Sequence, residues 1–300
     1  MNLGRAKLIL IIAFAGLNIF LAYHLFWPDF GRLTRMAVTA EDLRATEAML
    51  NEKNYFLETS PDRTIRTGYF LTVSRSLEFQ RQVLLRMLQE GAEFSHSDEG
   101  TNYQKDEKTA VIQSTGLIRV LYTPPQELAD TSDDLDDREA RVLAEKFLIE
   151  EHLMPKGAVF DYVENISPGT RVLHYYQVVD GVAIFTGQLK VIIEDNRIRS
   201  VEIYWVHPAE DSPGREMEVI SAIEALSNLV RDLGPSDEPQ LVTSITLGYF
   251  SGEIDAEKWE ISPVWRIVLQ NEQVYYINAF TGNLEQEPVI PEKLPDDDNS

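Results

Sequence analysis

The sequence contains no cysteine. Disulfides, thiolate metal sites and cysteine nucleophiles are therefore excluded. A domain of this length does not need disulfides even outside the cell, so their absence does not argue for the cytoplasm.

The sequence also lacks the usual motifs of enzymes. The five histidines (His24, His96, His152, His174 and His207) are not spaced as metal ligands, and there is no H-E-x-x-H. There is no G-x-S-x-G, no P-loop and no G-x-G-x-x-G. Acidic residues are abundant, but no pair stands out as a general acid and base. The sequence therefore predicts a protein that is not an enzyme and has no cofactor or bound metal.

Positive charge is scarce. The 27 lysines and arginines face 49 acidic residues, which gives a formal net charge of −22. Such a surface repels nucleic acids and anionic lipids at long range, so no nucleic-acid partner is expected. Hydrophobic residues make up 44% of the 300, which is typical of folded domains with buried cores.

One long apolar run lies near the N-terminus. Residues 8–27 carry no charge and are followed by Pro28. A helix of this length spans the ~30 Å core of a bilayer, and it is longer than the apolar core of a cleaved signal. Arg5 and Lys7 precede the run, which favours a cytoplasmic stub at residues 1–7 and an extracytoplasmic location for the bulk of the chain. The sequence predicts a single-pass protein of the cell membrane, in contact with the lipid bilayer.

The predicted span contains one polar residue, Asn18. Ala15 and Ala22 lie on the same helix face, where small residues allow a second helix to approach and an amide can hydrogen-bond to it. These three residues are the candidate helix-docking face. The alternative is a tolerated asparagine whose amide bonds its own backbone.

The remaining chain predicts an α+β fold in three extracytoplasmic modules, each an antiparallel sheet with a helix packed on one face. The predicted ranges are a first module at 36–125, an acidic linker at 126–137, a second module at 138–210, a third at 216–286 and a disordered acidic tail at 287–300. The third module resembles the second, since each begins with an amphipathic helix followed by strands.

Local signals support this organisation. Thr39 to Asp42 has the form of a capping box at a helix start. Asp180-Gly181 and Asp195-Asn196 are typical of tight hairpin turns. Residues 111–122 predict one strand, which Pro124 and Pro125 are expected to end.

Adjacent aromatic residues predict a possible binding surface. The pairs at 175–176, 204–205 and 275–276 each place one ring on either sheet face. One ring of each pair should be in the core, and the other should be exposed or covered by a partner or a helix. The candidate interaction residues are Tyr175, Tyr204, Trp205, Tyr275 and Tyr276.

Two segments carry a resemblance to a known family. The basic stub and span at residues 4–26 and the stretch VYYINAFTGNLE at 274–285 resemble the YycI (WalI) family. The resemblance extends in layout and length over nearly the whole chain, although neither segment is a catalytic motif. The acidic tail after Glu285 departs from the family pattern.

The resemblance implies a function without catalysis. Proteins of this family are membrane-anchored regulators of the essential YycG (WalK) sensor histidine kinase of Gram-positive bacteria, which controls cell-wall metabolism. They act with a YycH-like protein, and transmembrane helices contribute to the contact. Applied to this chain, the resemblance implies that the helix at 8–27 docks on the kinase.

Two alternatives stay open on the sequence alone. The stretch Ala279-Phe280-Thr281-Gly282 resembles the closing hairpin of PepSY domains, which would make the chain an extracytoplasmic modulator of a peptidase. The other alternative is an envelope enzyme acting on wall polymer, which would need a cleft with perturbed carboxylates.

Overall fold

The computed structural model describes residue 14 and residues 38–64, 66–89, 91–97, 100–127, 135–209, 216–252 and 256–286. The predicted span, the candidate docking face Ala15, Asn18 and Ala22, and the acidic tail lie outside these residues, apart from Phe14. Within the described part of the chain, no helix is long and apolar enough to cross a membrane.

The described residues form four helices and seventeen strands. The helices are α1 Ala40–Glu52, α2 Leu77–Gln89, α3 Asp137–Glu150 and α4 Ala222–Leu233. The strands are β1 Tyr55–Leu57, β2 Thr67–Gly68, β3 Leu71–Arg75, β4 Glu93–Ser97, β5 Gly100–Lys105, β6 Lys108–Ile112, β7 Ile118–Glu127, β8 Ala158–Ser167, β9 Thr170–Val179, β10 Val182–Glu194, β11 Arg197–Tyr204, β12 Val206–Pro208, β13 Met217–Glu218, β14 Gln240–Phe250, β15 Lys258–Leu269, β16 Val274–Asn278 and β17 Leu284–Gln286.

Fifteen of the strands join in one mixed sheet, and β2 and β13 form a separate pair. The large sheet contains two antiparallel meanders, one from β8 to β11 and one from β14 to β17. The two meanders meet where β10 runs parallel to β14, at Ile184 and Tyr249. The α+β class is confirmed, and the ranges of the three modules stay a prediction.

We call the two sides of this meeting point half A and half B. Half A comprises α2, α3 and β4 to β11, and both of its helices pack on one core. Half B comprises α1, α4, β1 and β14 to β17, with a second core under its helices. A third cluster, between the halves, is built from β3, β12 and the ends of longer strands. Residues 36–125 therefore contribute elements to both halves.

Local signals explain where several elements begin and turn. Thr39 caps α1 with a complete capping box, as predicted: its Oγ1 accepts from the Asp42 amide at 3.1 Å. The turns at Asp180-Gly181 and Asp195-Asn196 are also confirmed. All four of these residues have positive φ angles, as tight hairpins with primed turns require.

Two predictions in the first region are wrong. Residues 111–122 form a hairpin rather than one strand, because Gly116, with φ +98°, allows a reversal between β6 and β7. Pro124 and Pro125 do not end β7, which continues to Glu127. A register irregularity in its pairing with β11 accommodates the prolines, because bulged residues need not donate to the ladder.

The half A core provides a direct test of the fold. Leu148 is fully buried beneath α3, and its neighbour Ile149 points outward. We expect Leu148→Ala to lower the free energy of unfolding by about 2–5 kcal/mol, because it removes buried methyl groups and leaves a cavity. Ile149→Ala should cost less than about 1 kcal/mol. Denaturant unfolding followed by circular dichroism compares them, and equal losses would contradict the helix orientation.

Candidate functional site at the junction of the halves

A buried ion pair connects the two halves. Arg266 lies in the middle of β15, and its Nη2 is 2.5 Å from Oδ2 of Asp161 on β8. The side chains are only 6% and 18% exposed, so both charges have left bulk water. Such a pair holds its geometry firmly, because separating the partners would leave each charge buried alone.

Aromatic rings surround the guanidinium. Its Cζ lies 5.3 Å from the ring centroid of Phe185, which belongs to half A. Tyr276 is directly opposite Arg266 on β16, and burial raises the pKa of the Tyr276 hydroxyl. Tyr276 also stacks on Phe250 with centroids 3.8 Å apart. Rings from both halves thus exclude water from the ion pair.

The backbone approaches unusually closely at this point. A Cβ on Gly248 would lie 2.5 Å from the Phe185 ring and 2.7 Å from the Ala183 carbonyl oxygen, so only glycine fits. Beside it, the Thr186 hydroxyl donates to the Ser251 carbonyl and accepts from the Ser251 amide at 2.8 Å. The meeting of β10 and β14 is therefore fixed by main-chain proximity as well as by side chains.

A second polar group lies on β8 and β9 next to the ion pair. The Nε2 of His174 is 2.9 Å from Oε2 of Glu164, and because an ionised carboxylate only accepts, the ring nitrogen donates. Tyr162 stacks flat on the imidazole with centroids 4.5 Å apart. The hydrogen bond from His174 lowers the pKa of Glu164 below its usual value.

Two carboxyl groups at the junction have raised pKa values. Burial raises the pKa of Asp161, and the charge of Arg266 offsets part of this effect. Burial also raises the pKa of Glu272, in the turn between β15 and β16, and the negative charges of Glu164 and Asp137 add to it. The turn of half B thus lies near the acidic start of α3 in half A.

The polar groups of this site hold the two halves together. The Asp161 and Glu164 carboxylates and the His174 imidazole are each engaged by a neighbour, and burial makes the tyrosine hydroxyls harder to ionise. Among the described residues, no cluster of three or more histidines and acids could hold a metal ion. The arrangement can fix the orientation of half A relative to half B.

The predicted interaction aromatics are placed mostly inside the protein. Tyr175 and Trp205 are buried in the half A core, Tyr275 is buried in the half B core, and Tyr204 is buried in the cluster between them. Tyr276 is half-buried at the junction. The chain itself covers these rings, three of them in the core of their own half and Tyr204 in the cluster between the halves. Their role in binding a partner stays a prediction, and four of the five offer no free surface.

Sequence reasoning missed the junction residues. Arg266 did carry a signal, since a charged side chain between Trp265 and Ile267 in an apolar strand needs a buried partner. Nothing in the sequence identified Asp161 as that partner, because the contact joins distant strands. His174, which the sequence analysis excluded as a metal ligand by its spacing, pairs with Glu164 on the neighbouring strand.

Breaking the ion pair should destabilise the protein strongly. Asp161→Ala leaves the Arg266 charge buried without a carboxylate, and we expect a loss of about 3–5 kcal/mol in the free energy of unfolding. The double variant Asp161→Leu, Arg266→Met should recover most of it, because neither charge remains. Glu150→Ala removes an exposed pairing with Lys146 and should cost at most about 1 kcal/mol. If Asp161→Ala lowers the free energy of unfolding by no more than this control does, the buried ion pair does not stabilise the protein as we propose.

The Glu164 pKa predicts a defined acid dependence. Because the folded-state pKa is depressed, ionised Glu164 contributes stability above its ordinary pKa of 4.5, and this is lost as the pH falls through the folded-state pKa. We expect Glu164→Gln to be less stable than the original chain near neutral pH, by about 1–2 kcal/mol, and equally stable in strong acid. Unfolding measured from pH 7 to pH 2 tests this, and a difference independent of pH would contradict it.

Comparison with known proteins gives a family and two distant structural similarities. The sequence model of the YycI protein family matches residues 35–280. No curated protein matches the chain. An uncharacterized protein from Eubacterium rectale ATCC 33656 aligns with a TM-score of 0.48 and 12% identity, over 82% of this chain and 99% of that one. The Bacillus megaterium YpeB C-terminal domain aligns with a TM-score of 0.40 and 14% identity, over 72% and 98%. Both scores are low, whereas the family match covers most of the sequence, and the chain therefore belongs to the YycI family.

Proposed function

We propose that this protein is a membrane-anchored regulator of a two-component sensor histidine kinase that controls cell-wall metabolism, and that it performs no catalysis. The observation that carries the proposal is the family match over residues 35–280. The YycI family is membrane-anchored and generally regulatory, and membership implies association with the YycG kinase system. A YycH-like protein is the second proposed partner.

The proposed transmembrane contact involves residues 8–27. In the proposed mechanism, the face formed by Ala15, Asn18 and Ala22 docks on the kinase helices. A helix that packs better against one kinase state than against the other shifts their populations by its differential affinity. A difference of about 1.4 kcal/mol changes the ratio tenfold, so regulation needs no chemical step.

The buried ion pair between the halves makes the extracytoplasmic part suitable for this role. A regulator that reports through contacts must hold its binding surfaces in a fixed relation, and the buried pair of Asp161 and Arg266 holds half A against half B. A contact made on one half can then act on the other without loss through internal motion. This supports regulation by protein contacts, in the membrane and outside it.

Replacing Asn18 tests the transmembrane contact. We expect Asn18→Leu to reduce the kinase recovered with the tagged full-length protein from gently solubilised native membranes by about 3- to 30-fold, because an interhelical hydrogen bond in a bilayer contributes about 0.6–2 kcal/mol. The matched control is Phe20→Leu, an apolar change on the opposite helix face, which should leave recovery unchanged.

The outcomes separate the candidate functions. Equal recovery of the kinase with both variants would contradict the Asn18 face and leave the contact to other surfaces. Recovery of a peptidase in place of the kinase would support the PepSY-type alternative, in which residues 8–27 are only an anchor. Recovery of neither would contradict the regulator itself.

A further inference from the structure

Strand β4 is the outermost strand at one end of the large sheet. It pairs with β5 and with no other strand of the described chain. All five of its side chains are exposed, whereas most residues of β5 and β6 are half-buried. A strand in this position leaves a row of backbone N–H and C=O groups unpaired, and such a row is a template for a further strand.

The register of the neighbouring strands assigns the unpaired backbone groups. In an antiparallel ladder, successive residues direct their N–H and C=O to opposite sides. The Gln113 amide donates to the Leu117 carbonyl at 2.9 Å, so the odd-numbered residues of β6 point toward β7 and the even-numbered ones toward β5. Followed through β5, the register directs the odd-numbered residues of β4 toward β5. The free edge therefore consists of the N–H and C=O groups of Phe94 and His96.

The other edges of the large sheet are protected against pairing. Within the described residues, four other strands have a single neighbour: β1, β8, β12 and β17. Three of them are only three residues long, and β8 is interrupted by two shifts in its register with β9. Strand β4 keeps an unbroken register with β5 over five residues and contains no lysine and no proline. Short length, bulges, lysine and proline are the usual means of blocking an edge, so β4 is open to a further strand.

The side chains of β4 differ between its two faces. Phe94 is directly opposite Tyr103, with ring centroids 6.3 Å apart, and Tyr103 packs on the half A core. The His96 ring lies on the same face, 6.0 Å from that of Phe94. Phe94 is nevertheless 64% exposed, because no described strand lies beyond it. The opposite face presents Glu93 and two serines. An added strand would therefore meet an aromatic face on one side and a carboxylate on the other.

The charge around β4 indicates which kind of strand would pair with it. Residues 87–104 contain no lysine or arginine and four acids, Glu90, Glu93, Asp98 and Glu99. A second copy pairing through β4 would bring these acids against themselves, because a two-fold interface repeats the same surface. Residues 287–300 of this chain, with five acids and one lysine, are repelled for the same reason. Arg32 and Arg35 precede α1, which packs on half B, whereas β4 is the far edge of half A. A basic segment of another protein is therefore favoured.

We propose that β4 binds an extended, basic segment of another protein, which adds to the large sheet as a further strand. The backbone of this segment would pair with the free N–H and C=O groups of Phe94 and His96. Its side chains would alternate, with an apolar residue beside Phe94 and a lysine or arginine beside Glu93, because successive residues of a strand point to opposite faces. The proposal goes beyond kinase regulation and does not depend on it.

Site-specific photo-crosslinking in the full-length protein tests the edge. A benzophenone amino acid replaces Phe94 in one variant, and in the matched control it replaces Val159, which is 37% exposed on the interrupted edge strand β8. After illumination of native membranes, the crosslinked peptide is sequenced by mass spectrometry. We expect at least roughly tenfold more crosslinking from position 94 than from position 159. The captured segment should contain more basic than acidic residues, with apolar residues at alternate positions.

Substitutions on β4 separate strand pairing from folding. With the reporter at position 94, His96→Pro removes an outward N–H without breaking the ladder to β5, and it should lower the crosslink roughly tenfold. Glu93→Lys reverses the charge of the edge and should have a similar effect. The matched control is Glu260→Lys, an exposed acid on β15 in a stretch already paired with β3, which should leave the yield unchanged. Thermal unfolding should be nearly the same for all three variants, because each side chain is exposed.

Several results would overturn the proposal. Crosslinks to a second copy, to another part of this chain, to lipid, or to an acidic or helical segment would each contradict a basic strand as the partner. Equal yields from positions 94 and 159 would contradict the open edge. An unchanged yield with His96→Pro would show that the free backbone groups are not used. Kinase recovery through Asn18 is a separate measurement, so failure here leaves the proposed function standing.

Discussion

The meeting of β10 with β14 is the constraint on which the rest of the structure depends. It joins two meanders that each have their own helices and their own core. The approach is possible because Gly248 has no side chain to collide with Phe185 and Ala183. Once the strands meet there, Asp161 on β8 comes within reach of Arg266 on β15.

The ion pair adds specificity to this arrangement. Two apolar side chains of similar volume could hold the halves as firmly, since desolvation costs a buried pair much of its Coulombic energy. What two opposite charges add is selectivity, because a misplaced orientation of the halves would bury a charge without its partner. The surrounding rings of Phe185, Phe250 and Tyr276 strengthen that selectivity by keeping water away. For a protein whose proposed role is to hold a partner in one state, a defined shape matters more than added stability.

The sequence predicted one helix cap and two hairpin turns correctly, because local signals determine them. The capping box at Thr39 and the turns at Asp180-Gly181 and Asp195-Asn196 depend only on neighbouring residues. The reversal at Gly116 was missed, since a single glycine in an apolar run also fits a continuous strand. The contact of Asp161 with Arg266 joins residues 105 apart in sequence, and the pairing of β10 with β14 also joins strands from different segments. No periodicity within one segment encodes such pairings.

The path of the chain through the two halves affects how the protein can be made. Helix α1 and β1 belong to half B, yet Tyr55 pairs with Gln240, so all of half A is synthesised between them. Half A is continuous in sequence and could form its core first, whereas α1 must wait with Leu50 and Tyr55 uncovered until β14 and α4 emerge. Half B is completed last, by a long-range closure whose entropic cost grows only slowly with loop length. A fragment that starts after half A would thus lack one of the helices on its own core, and the two halves cannot be separated by a single cut in the chain.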